Sequence, residues 1–330
     1  MTRILATLAA LFFLAGHAYA QCVGQNLIEA LSPSDRAMLD AATARSPYPA
    51  GNYWRATRGD QTVTLIGTYH FDDPRHAATI TALTPMIAAA STVLVEAGPD
   101  EDAALQAHLA RDPGAMMITS GPTLPEQLAE ADWQALAAAM RARGIPPFMA
   151  AKFQPWYIAA VLGIPPCAMA TAASSKGLDG MVIDAATNAA VPIKALEPYD
   201  TIFGIFGGMS NEDQLSMIKS TLVLEEFSTD FSVTLADTYF SQDTRLIWEF
   251  MRQQALAMPG YTPAQIDGEF ARMEEALMSK RNRAWIPVIA AAAAQGATFA
   301  AFGALHLSGQ DGVLALLERE GFKLERLAIP

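Results

Sequence analysis

Two short stretches hold the residues best able to do chemistry: Gly67-Thr-Tyr-His70 and Gly303-Ala-Leu-His306. Each closes an apolar run, Thr62 to His70 and Thr298 to His306. Imidazole changes charge near neutral pH and ligates transition metals when neutral. Four histidines follow residue 20, and two of them take these equivalent positions. Carboxylates recur at similar places. Glu96 ends the run Ser91-Thr-Val-Leu-Val-Glu96, and Glu197 ends Val191-Pro-Ile-Lys-Ala-Leu-Glu197. Asp179 follows Gly177-Leu at the start of a helical pattern, where a carboxylate is favoured by the helix dipole whatever else it does. Arg281-Asn282-Arg283 lies within a long helical pattern. It is either a solvated basic face or a source of one inward guanidinium. Successive helical residues point about 100° apart, so Arg281 and Arg283 cannot both face inward. Arg281 is expected inside, beside Asn282 and Trp285, offering its planar fork to a substrate carboxylate or to Glu96. Glu197, just before Pro198, is the weaker candidate, because it can simply pair with a nearby base.

Two chemistries are open to such a set. In one, His70, His306 and Glu96 hold a divalent transition ion (Mn, Co or Zn), and bound water becomes a nucleophile at neutral pH. In the other, without metal, a histidine acts as base, Glu96 orients it and Arg281 holds an anionic group. The chain has no H-E-x-x-H, G-x-S-x-G, P-loop or G-x-G-x-x-G, so zinc protease, serine hydrolase, ATPase and dinucleotide readings lack their motifs.

These residues need elements to position them. A run of β-branched and aromatic residues ending in Gly reads as a buried strand whose end can turn sharply. Residues 52–57 and 61–66 read as a hairpin turning at Arg58-Gly-Asp60, leading to His70. A helix over 76–90 delivers the strand that ends at Glu96. Residues 101–164 are helical, a helix opens at Gly177, and a strand ends at Glu197. Residues 198–294 read as a helical block, with amphipathic segments at 213–227 and 234–257 and a break at Pro259-Gly260. The pattern over 262–294 is one helix or two divided at Pro287. The strand ending in the second motif, a helix over 310–320 and a strand over 323–327 complete the chain. Strand–helix–strand order from 62 to 197 indicates an α/β fold: a central, mainly parallel sheet flanked by helices, with a large helical insertion at 198–294. Residues 21–330 are expected to form a single domain.

Residues 1–20 read as a signal peptide. Arg3 supplies the positive start, Ile4 to Ala15 the apolar run, and Ala18-Tyr19-Ala20 the small-x-small cleavage site. An uncleaved anchor is the alternative. Export to the periplasm or beyond makes the two cysteines, Cys22 and Cys167, a natural disulfide, with two buried thiols as the alternative. So long a closed loop is worth about 4–5 kcal/mol in the chain-entropy picture. The net charge of −12 argues against nucleic acid and anionic membranes, which call for basic patches. No stretch after residue 20 is long and apolar enough for a stable membrane span.

Gly67-Thr-Tyr-His70, Val93-Leu-Val-Glu96, Arg281-Asn282 and Phe302-Gly-Ala-Leu-His306 with Gly309-Gln-Asp-Gly-Val-Leu314 together resemble the TraB/GumN family over nearly all of the chain after residue 20. That family is similar to the Tiki metalloproteases and, more distantly, to the erythromycin-esterase and haem-binding ChaN-like proteins. The resemblance implies an α/β fold with both Gly-x-x-His motifs at one site, and Mn- or Co-dependent hydrolysis of peptides or proteins. Ala304-Leu305 departs from the family's commoner Gly-x-Gly-His form and leaves His306 in place. The expected function is an exported metal-dependent hydrolase, peptidase-like. A non-catalytic periplasmic peptide- or haem-binding protein and a metal-free esterase-like hydrolase stand as the alternatives.

Overall fold

The structure, a computed structural model, describes residues 22–172, 176–257 and 261–328. The expected leader and its cleavage site, and the break at Pro259-Gly260, lie outside those residues.

Among the described residues six strands form one sheet: β1 (Tyr53–Arg58), β2 (Gln61–Thr68), β3 (Thr92–Val95), β4 (Ile193–Ala195), β5 (Thr298–Gly303) and β6 (Lys323–Arg326). Their order is β4-β3-β5-β2-β1-β6. The first four are parallel, β1 runs antiparallel to β2, and β6 antiparallel to β1. The β1–β2 turn falls at Gly59, whose φ of 57° suits glycine. β5, late in the chain, is thus inserted between β2 and β3. The registers of the parallel strands align their ends: Thr68 with Gly303, Val95 with Ala301, and Val95 with Ala195. His70, Glu96, Glu197 and His306 all leave the sheet along this one edge, where α/β sheets build their sites.

Alternation along the strands makes two apolar faces. Ile66, Val93, Val95, Phe299 and Ala301 pack against Leu83 and Ile87 of helix His76–Ala88 and Leu178, Val182 and Ala186 of helix Gly177–Asn188. Leu65, Leu94, Ala300 and Phe302 pack against Trp285, Ile286 and Ile289 of helix Lys280–Ala293 and Leu314 and Leu317 of helix Val313–Arg319. The central strands are buried on both sides, which is why they read as unbroken apolar runs rather than alternating ones.

The rest of the helical material divides between two further cores. Leu124, Leu136, Met140, Ile158, Leu162 and Ile218 form a separate core in a lobe built from residues 124–162 and helix Asn211–Val223. Ile28 and Leu39 of the N-terminal arm pack on Ile247 and Phe250 of helix Thr244–Leu256. The expected block at 198–294 therefore contributes to several layers, and the lobe draws on the helices before residue 164 as well. Cys22 and Cys167 are joined (S–S 2.10 Å), tying the arm to the segment after the lobe's last early helix. No single helix among the described residues is long and apolar enough to cross a membrane.

The pattern over 262–294 is interrupted, though not at Pro287. Helix Pro263–Glu274 passes through one turn of π-helix, Glu275–Ser279, into helix Lys280–Ala293, which runs on through Pro287. Pro287 removes one N–H without ending the helix, because the apolar face on both sides of it is anchored to the sheet. The wide turn sits just before Arg281. There the carbonyl of Leu277 accepts from Arg281 Nη1 at 2.9 Å.

Candidate functional site

The two glycines of the paired motifs are packed into each other's motif. A Cβ on Gly67 would lie 2.7 Å from Leu307 Cδ1 and 2.8 Å from Ala304 Cα, so β2 can meet the turn carrying His306 only with glycine there. A Cβ on Gly303 would lie 3.0 Å from His70 Nε2 and 3.2 Å from Glu96 Oε1. The space above Gly303 is where the first imidazole and the strand-end carboxylate converge.

His70 stands at the open side of this space, its ring more than half exposed (61 %). Its Nδ1 donates to Asp179 Oδ2 at 2.8 Å, and the other oxygen of Asp179 accepts from Thr68 Oγ1 at 2.5 Å. Thr68 ends β2 and His70 lies in the bend two residues on, and together their side chains grip both oxygens of one carboxylate. The ring still has protein packed around much of its perimeter. That desolvation pulls its pKa down, but the bond to Asp179 and the charges of Asp179 and Glu96 outweigh it and raise the pKa to about 9.

His306 has the opposite setting. It is buried (5 % exposed) and lies 4.4 Å, centroid to centroid, from the Trp285 indole. Its Nδ1 donates to Asn282 Oδ1 at 2.6 Å, and its Nε2 accepts from Arg281 Nη1 at 3.2 Å. Asn282 closes the arrangement by donating through Nδ2 to the carbonyls of His306 and Asp311. Burial, with the positive charges of Arg281 and His70, lowers the His306 pKa to about 4 although Glu96 pulls it up. At neutral pH His306 is the uncharged acceptor and His70 the charged donor.

Glu96 stands between them. Oε1 accepts from the Gly303 N–H at 2.6 Å and lies 3.9 Å from His306 Nε2, while Oε2 accepts from Arg281 Nη2 at 2.5 Å. Burial would raise its pKa. The charges of His306, Arg281 and His70, together with the Gly303 N–H, overcome that and hold it down at about 2. A carboxylate so stabilised suits a ligand or a fixed charge better than a proton acceptor.

Arg281 faces inward (16 % exposed) and Arg283 outward (42 %), the latter paired with Glu275 and Asp311. All five Arg281 N–H groups meet an acceptor: Glu197 twice, Glu96, His306 and the Leu277 carbonyl. Of the two partners considered for its fork, the structure supplies Glu96. Glu197 adds a bidentate clamp and accepts from Trp285 Nε1 at 3.1 Å. Sequence reasoning misses three groups: Thr68, Leu277 and the Trp285 N–H. Only Thr68 had a readable signal, its two-residue spacing from His70.

The donor set fits a metal ion in part. Each imidazole is anchored through Nδ1, to Asp179 or Asn282, as ligating histidines usually are. His70 Nε2 and Glu96 Oε1 approach one point above Gly303. The His306 Nε2 direction, however, is taken by Arg281. Among the described residues no group of three or more His, Cys, Asp or Glu side chains converges as a complete metal site.

Fold and site together define an α/β protein with an acid–base and carboxylate cluster at the C-terminal edge of a parallel sheet. The chain belongs to the TraB/PrgY/gumN family, whose model matches residues 52–326. No curated relative matches it.

Proposed function

We propose that the chain is an exported hydrolase whose centre is the space above Gly303, assisted by a divalent transition ion held by His70 and Glu96. The observation that carries this reading is the convergence of His70 Nε2 and Glu96 Oε1 on one point that a side chain at residue 303 would fill. Charge supports it. Glu96, Asp179 and Glu197 carry three negative charges against the Arg281 guanidinium and the His70 imidazolium, which leaves an attraction for a cation that would displace the His70 Nε2 proton. When bound, such an ion supplies a water of lowered pKa and polarises a carbonyl. The chain's own residues do the rest. Asp179, braced by Thr68, fixes the tautomer and aim of His70, and the Gly303 N–H and Arg281 keep Glu96 ionised. A peptide substrate follows from the family's similarity to the Tiki metalloproteases. Export follows from the leader-like start and the disulfide.

A metal-free reading has one observation of its own: Arg281 already serves as a cation between His306 and Glu96. In that version the His70 imidazolium donates a proton to the leaving group. Metal analysis of the native protein, then peptide-library digestion with Mn or Co and with chelator, separates the two. Cleavage that needs the ion and disappears in His70→Ala supports the first. Full cleavage in chelator rejects it in favour of the second, and retained ligand with no turnover under any ion points to a binding role.

A further inference from the structure

The notable feature of this cluster is what fills it. Metal-ligating histidines donate through one ring nitrogen and present the other to the ion. His306 meets the first half of that description, with Nδ1 given to Asn282 at 2.6 Å. Its Nε2 lies 3.9 Å from Glu96 Oε1, and at that nitrogen stands Arg281 Nη1 at 3.2 Å. The guanidinium is not a loose side chain resting in a vacancy. Glu197 grips it through two bonds of 2.8 and 2.7 Å, Leu277 of the π-turn takes another N–H, and its carbon lies 5.0 Å from the Trp285 ring centroid. With every N–H satisfied and the group largely buried, withdrawal would strand two carboxylates and a backbone carbonyl away from water. Breaking one buried charge pair alone typically costs about 3–5 kcal/mol.

We propose that Arg281 is the resident cation of the second motif: it occupies His306 Nε2 and excludes divalent ions from that imidazole, confining any ion to the His70–Glu96 side. His306 then acts as a positioning residue, orienting Arg281 rather than ligating. The competition for Nε2 rests on the geometry alone. Only its consequence for turnover rests on the hydrolase reading, so the two can fail separately.

The test is a Zn titration of the intact, disulfide-bonded protein, followed by imidazole ¹⁵N NMR and calorimetry. In the wild type, Zn should shift the His70 ring nitrogens and leave His306 Nε2 at the value of a hydrogen-bonded acceptor. Arg281→Gln should open the second imidazole: His306 Nε2 shifts on titration and affinity rises roughly tenfold or more. Removing a positive charge raises cation affinity anywhere nearby, so the gain must also disappear in Arg281→Gln with His306→Ala. Zn engaging His306 Nε2 in the wild type overturns the proposal, as does an Arg281→Gln variant with no gain, or a gain that survives loss of His306. A wild type that binds no Zn would remove the metal from the proposed function and leave this inference standing only if Arg281→Gln binds. Should Arg281→Gln fail to fold, the wild-type His306 Nε2 shift decides alone, and a bare or ligating value rejects the proposal.

Discussion

The two Gly-x-x-His motifs share a spacing, a parallel pair of strands and a common carboxylate, yet their histidines live in opposite environments. His70 is exposed, paired with Asp179 and raised to about 9; His306 is buried, paired with neutral Asn282 and lowered to about 4. What separates them is the residue that takes each Nδ1–H and the depth at which it does so. A carboxylate at the open rim favours the charged ring. An amide in a dry pocket beside a guanidinium favours the neutral one. The same motif therefore yields one ring suited to giving a proton and one suited to holding a neighbour in place.

The most disruptive way to break that contrast is to hollow out the buried half. Trp285 is fully buried and packs on His306, Phe302 and Arg281. Trp285→Ala should cost about 3–5 kcal/mol in urea unfolding. His70→Ala, on the exposed side, removes the bond to Asp179 but opens no comparable cavity, so it should cost clearly less. Equal losses would mean that the two halves are structurally equivalent.

The pH dependence should differ in sign. His306 falls from 6.5 to about 4 on folding and Glu96 from 4.5 to about 2. Their contribution to stability is complete above 6.5 and drains away as pH drops through 4 towards 2. His70 rises from 6.5 to about 9, so its smaller contribution is complete below 6.5 and is lost as pH climbs through 9. NMR titration of the two C2 protons should resolve the midpoints, and a shared midpoint would erase the distinction.

Asp179→Asn sharpens the comparison by giving His70 an amide partner like that of His306. The His70 midpoint should fall towards 6.5 while His306 stays put. The smallest effect belongs to Thr68→Val. Losing one hydrogen bond costs about 0.5–1.5 kcal/mol. The His70 midpoint should move less than in Asp179→Asn, because the carboxylate charge remains. An unchanged His70 midpoint in both variants would show that Asp179 does not set it.

Much of this was legible in the sequence because strand ends are legible. A buried parallel strand is an unbroken apolar run, and the residue just past it is fixed at the sheet's edge. His70, Glu96, Glu197 and His306 were found that way. The inward turn of Arg281 and outward turn of Arg283 followed from helical geometry. Asp179 was harder, because a carboxylate in the first turn of a helix is stabilised by the dipole whether or not it also holds a histidine. Its grip on Thr68 and His70 depends on a contact made across more than a hundred residues. The π-turn at Glu275–Ser279 has no sequence signature, since its residues are ordinary helix formers, whereas Pro287 signals a break that the helix does not make. Nor could local pattern show that the strand at 298–303 enters the middle of the sheet, because strand order is set by long-range pairing.

That insertion has a consequence in time. A chain synthesised, or threaded through a membrane, from its N-terminus delivers β2, β3 and β4 long before β5. Until Thr298–Gly303 arrives, β2 and β3 have no strand between them, Glu96 lacks the Gly303 N–H, and Arg281 lacks His306. Pairings this distant in sequence form slowly. The cluster is therefore assembled last, all at once, when the final tenth of the chain closes the gap, and any polypeptide released short of that point carries half of each pair and no complete cluster.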